Sequence, residues 1–134
     1  MKNKILFSFL LLISFNVQAD KCEDYFDDGY KYEDSAVTAQ SKAKVSFDTA
    51  KEYHNVFEDY QVCNLLKKPK NKYLEAKGYY KKANAEYEAQ IEQCANDDSE
   101  FAQFKIEYNN KMIAEVNTEL LDISKRMKQK SCDD

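Results

Sequence analysis

Between Tyr73 and Cys94 the apolar residues Tyr73, Ala76, Tyr80, Ala83, Tyr87, Ile91 and Cys94 step by 3, 4, 3, 4, 4 and 3 along the chain. That is the spacing of one face of an α-helix. The intervening Glu75, Lys77, Lys81, Lys82, Glu86, Glu88 and Glu92 are what a solvated opposite face carries. An apolar stripe this long needs other segments to cover it, and the chain extends on both sides. The stretch therefore predicts the middle helix of three. With two glycines and one proline in 134 residues, long helices joined by few turns are favoured over a sheet.

The flanking segments carry similar signals. From Asp34-Ser35 a helical pattern runs to about Leu66, with Ala36, Ala39, Ala43, Phe47, Ala50, Tyr53, Phe57 and Tyr60 on the face to be buried and Val37 and Val62 widening it. Lys67-Lys68-Pro69-Lys70-Asn71 reads as a turn, because proline cannot continue a helix but is tolerated in the first turn of the next. Gly78, inside the middle helix, suggests close passage of a neighbouring backbone. Asn96-Asp97-Asp98-Ser99-Glu100 reads as the second turn, with Asp97 and Glu100 spaced as a capping box. Phe101, Phe104, Tyr108, Met112, Val116, Leu120, Ile123 and Met127 would be the buried face of the last helix. The predicted helices cover about 35–66, 70–95 and 98–130.

The N-terminus has the parts of a secretory signal. Lys2 and Lys4 precede an apolar run from Ile5 to Phe15, and Val17-Gln18-Ala19 is a small-residue cleavage site. The run is about 11 residues against the roughly 20 of a bilayer-crossing helix, so no transmembrane anchor is expected. Residues 1–19 are thus read as a leader and 20–134 as a single helical domain, periplasmic or secreted after cleavage before Asp20. Residues 20–34 form an acidic arm, where Gly29 offers a break or bend. Loss of Lys2 and Lys4 takes the formal charge from −4 to about −6. That balance does not suggest a nucleic-acid binder.

The cysteines Cys22, Cys63, Cys94 and Cys132 all lie beyond the leader, and an even count in an oxidising compartment predicts two disulfides. Short turns make antiparallel neighbours, so the helices should run up, down, up. Cys63 then lies at one pole and Cys94 at the other, about 36 Å apart along the middle helix, whereas bridged Cα atoms lie within about 7 Å. Cys22 and Cys63 are separated for the same reason. Only Cys22–Cys94 with Cys63–Cys132 remains. The expected fold is all-α, an up-down-up three-helix bundle with coiled-coil-like packing, stapled by those two disulfides.

No catalytic residue, cofactor or metal ligand is assigned. The chain has no glycine-rich phosphate loop, no HExxH motif and no zinc spacing among its cysteines. The acids of residues 20–34 do not alternate as an EF-hand requires. His54, the sole histidine, is read as a residue at the edge of the buried stripe. Two surfaces suggest a partner. The ten tyrosines are too many for slender helices to hide, which points to an aromatic patch of Tyr30, Tyr32 and Tyr79. Lys67, Lys68, Lys70 and Lys72 with Lys125, Arg126 and Lys128 would gather at one pole as a basic end suited to an anionic envelope surface. The expectation is an exported non-enzymatic interaction protein of the bacterial envelope, a chaperone, adaptor or structural factor with a protein partner. The alternative expectation is a secreted inhibitor or toxin-like effector acting on a cell-wall enzyme, its acidic arm mimicking an anionic substrate.

Overall fold

The predicted middle stripe is the spine of the molecule. The computed structural model describes the backbone of residues 2–94 and 98–133 and the side chains of residues 21–94 and 99–133. Three helices follow one another: α1 (Lys2–Tyr53), α2 (Asp59–Gln93) and α3 (Asp98–Gln129). The leader expected at residues 1–19 and the Asp97 half of the expected capping box fall outside the described side chains. Among the described residues no helix is long and apolar enough to cross a membrane.

Contacts fix the helix directions. Gln40 on α1 meets Tyr80 on α2, and Phe47 meets Tyr73, so these two helices are antiparallel. Phe26 meets Phe101 and Glu33 meets Lys105, so α3 runs parallel to α1. Close backbone approach is most extensive between α1 and α2, less so between α2 and α3, and slight between α1 and α3. The side chains explain this order. Ala36, Ala39, Ala43 and Ala50 are buried on α1 and hold α2 at short range, whereas α3 presents the larger Val116, Ile123 and Met127.

Tyr73, Tyr80 and Tyr87 of α2 are fully enclosed, each ring contributing about 1.5–3 kcal/mol by leaving water. The Tyr80 hydroxyl donates to Gln40 Oε1 at 2.6 Å, which satisfies a polar atom that would otherwise be costly inside. Burial pushes the Tyr73 and Tyr80 hydroxyls up to about 12. Both disulfides have the pairing derived from the sequence. Cys22–Cys94 joins Cα atoms 6.0 Å apart and Cys63–Cys132 joins Cα atoms 5.5 Å apart. One staple therefore sits at each end of α2.

The helix boundaries differ from expectation. The chain reverses at His54–Glu58, not at Lys67–Asn71, so the expected first helix of 35–66 ends at Tyr53 and Pro69 lies inside α2. Two local signals favour the earlier turn. Gln61 Oε1 accepts the Glu58 backbone N–H at 3.2 Å, the reciprocal half of a capping box. Asp59 sits in the first turn of α2, where the helix dipole favours an acid. A proline inside a helix costs about 3 kcal/mol. Pro69 is enclosed in the core between the buried Leu66 and Tyr73, one turn to either side, and that packing offsets the missing hydrogen bond. Phe57 and Tyr60, expected in the buried stripe, lie beyond the end of α1 and are exposed.

Three further expectations change, and one open point is settled. The acidic stretch 20–34 is part of α1 and is helical. Gly29 does not bend it but receives the Tyr87 ring, and Gly78 has open space in front of it instead of a neighbouring backbone. On α3, Phe101, Phe104 and Tyr108 face solvent while Ala102, Ile106 and Asn109 point inward.

Candidate interaction surface

The exposed aromatic residues of α3 follow from its phase. Stepping back by sevens from the buried Val116 gives Asn109 and Ala102, which are also buried, so the inward seam keeps a coiled-coil period. Phe101, Phe104, Lys105 and Tyr108 then share a neighbouring face at spacings of 3, 1 and 3. On α1, Phe26, Tyr30 and Glu33 occupy one face at spacings of 4 and 3. The parallel course of α1 and α3 sets these two faces side by side.

Lys105 is the centre of the resulting pad. Its Nζ donates to Glu33 Oε1 at 2.6 Å, with both side chains mostly enclosed. The same ammonium lies 5.5 Å from the Tyr30 ring centroid and 5.7 Å from that of Phe101, within cation–π range. Phe101 packs on Phe26 at 5.6 Å and on Phe104 at 6.3 Å. Beneath the pad the Tyr87 hydroxyl donates to Glu33 Oε2 at 3.4 Å. Burial and then the Glu33 charge push the Tyr87 hydroxyl far above its ordinary value. Glu33 is thus neutralised from one side by Lys105 and hydrogen-bonded from the other. Phe104 is 60% exposed and Tyr30 56% exposed, so the rim of this pad is open to solvent.

The other expected partner residues are dispersed. Tyr32 stacks on Tyr79 at 6.4 Å, and Lys82 covers both rings at 5.7 and 5.6 Å. Tyr30 is not part of that group, because two residues along a helix turn the side chain by about 200°, and it faces Lys105 instead. Lys67, Lys68, Lys70 and Lys72 lie past the first two turns of α2 and run down its length, because α2 begins at Asp59. Lys125, Arg126 and Lys128 remain near the end of α3. Some of the expected basic end is neutralised: Lys72 pairs with Glu75 at 2.8 Å and Arg126 with Asp122 at 3.2 Å, while the neighbouring Lys130 pairs with Asp59 at 3.2 Å.

His54 opens the turn between α1 and α2, where its side chain is buried and its Nδ1 has no hydrogen-bond partner. Burial lowers its pKa from the usual 6.5, and the nearby Lys130 and Arg126 charges lower it further. Tyr53 stacks on Phe57 at 4.5 Å beside it. Among the described residues no three His, Cys, Asp or Glu side chains are placed to hold a metal ion.

The aromatic pad was the feature least legible in the sequence. Rings at spacings of 3 and 4 are usually core, and only the heptad step through Ala102 and Asn109 signals that these rings lie beside the seam. No protein-family model matches the chain, and neither a curated protein nor a solved structure shows significant similarity to it.

Proposed function

We propose that this chain is an exported, non-enzymatic interaction protein of the bacterial envelope, a chaperone, adaptor or structural factor that meets a protein partner through the pad formed by Phe26, Tyr30, Phe101 and Phe104. The observation carrying this reading is the contiguous ring surface around Lys105, of which Tyr30, Phe101 and Phe104 are exposed. Contiguous exposed apolar surface rimmed by polar groups marks interaction sites, and aromatic residues are enriched where proteins meet. The pad is also stiff. Glu33 anchors Lys105, and the rings brace one another, so little side-chain freedom is lost on docking.

The export half of the proposal rests on the two disulfides, which form and persist in oxidising compartments. The bait for the test is the oxidised protein expressed from its full sequence, presented to an envelope extract beside a Phe101→Ser/Phe104→Ser variant. Both positions are well exposed, so the variant should keep its helical circular dichroism. A partner retained by the parent and lost by the variant supports the proposal. Identical captured sets from the two baits overturn it.

A further inference from the structure

On the side of α1 away from Lys105, a groove of about 530 Å³ runs between α1 and α2. This volume is within the range of about 300–1,000 Å³ of small-molecule sites, although the groove is open to solvent along its outer side. Its α1 wall runs from Ser41 and Lys42 through Val45 to Thr49, and its α2 wall is formed by Leu65 and Lys68. The distance from Ser41 to Thr49 along the helix is about 12 Å.

The polar residues of this wall are less polar than their names suggest. Ser46 donates its hydroxyl to the Ala43 carbonyl at 3.2 Å, and Thr49 donates to the Val45 carbonyl at 3.2 Å. With those hydroxyls turned back onto their own helix, the wall offers carbon to the groove. Val45 is 70% exposed here, a branched apolar side chain with nothing over it. The two cations are in the opposite condition. Among the described residues neither Lys42 nor Lys68 forms an ion pair. A hydrocarbon floor flanked by two unneutralised ammonium groups complements one kind of occupant.

We propose that the groove between α1 and α2 binds a single anionic amphiphile, its alkyl chain lying along Val45, Leu65 and Thr49 and its charged head held between Lys42 and Lys68. The chain would gain by leaving water. The head would gain two charge-assisted contacts. Lysine stems add apolar cover while their tips stay wet. This site is separate from the aromatic pad, and either could exist without the other.

The test titrates the oxidised protein, expressed from its full sequence, with sodium dodecanoate below its micelle concentration and follows backbone amides by nuclear magnetic resonance. Saturable shifts confined to residues 41–49 and 65–68 are expected. Affinity should fall about tenfold in Lys42→Gln/Lys68→Gln, the scale of lost surface charge contacts, and should vanish in Val45→Asp. Dodecyl maltoside, with the same chain and no charge, should bind at least about tenfold more weakly. Shifts that do not saturate, shifts centred on Phe101 and Phe104, or unchanged affinity in the lysine variant would overturn the proposal. So would lysine-dependent binding to phosphatidylglycerol vesicles without binding of dodecanoate, which would assign the lysines to a membrane surface.

Discussion

Gly29 on α1 lies so close to Tyr87 on α2 that a Cβ at Gly29 would sit 2.8 Å from ring carbon Cε1. Tyr87 is fully buried, and its hydroxyl is held by Glu33, so the ring cannot swing away. Gly78 occupies a helical position with nothing within 4 Å of where a Cβ would be.

The two glycines should therefore respond oppositely to the same substitution. Gly78→Ala should stabilise by about 1 kcal/mol through helix propensity alone. Gly29→Ala gains the same propensity but overpacks a filled site, at about 1–3 kcal/mol, and should be net destabilising. Urea unfolding of both variants checks this. A stabilised Gly29→Ala would mean that the Tyr87 ring can move.

Glu33 and Lys105 form the most enclosed ion pair among the described residues. Removing one partner strands a charge in low dielectric, so Lys105→Met should cost about 3 kcal/mol or more. Glu33→Gln/Lys105→Met, which removes both charges, should cost less than Lys105→Met alone. A double-mutant cycle read by urea denaturation would expose simple additivity, the result that contradicts this account.

Asn109 is fully buried, and neither of its side-chain polar atoms has a hydrogen-bond partner. An unsatisfied buried amide costs about 1–3 kcal/mol. Asn109→Leu, which keeps the number and branching of side-chain heavy atoms, should raise the thermal midpoint. A lowered midpoint with an intact helical spectrum would show that the amide sets the register of α3 instead, as a polar seam residue does in coiled coils.

His54 should make stability pH-dependent. Its folded pKa lies below the usual 6.5 because it is buried near Lys130 and Arg126, with a hydrogen bond to Gln129 and the Asp122 charge acting in the opposite direction. Above pH 6.5 the residue is neutral in both folded and unfolded chains, and its full contribution is present. As the pH falls from 6.5 toward the lowered folded value, the unfolded chain binds the proton first and stability is lost. Urea midpoints should drop across that window in the parent and drop less in His54→Gln. Parallel curves for the two proteins would remove His54 from the account.

The sequence alone determined the helical class, the buried face of α2 and the disulfide pairing. Each depends on local periodicity or on alternating helix direction. The pairing survives the misplaced turn because Cys63 moves from the end of one helix to the start of the next without leaving its pole. Tertiary structure decided where the first helix stops, whether Pro69 breaks a helix, which glycine is crowded and which phase α3 adopts. Those outcomes differ by only a few kcal/mol locally, so the packing of Leu66, Pro69 and Tyr73 on one side, and of Ala102 and Asn109 on the other, selects among them. The aromatic pad belongs to this second group. It exists because small residues fill the seam of α3 and leave the rings outside it.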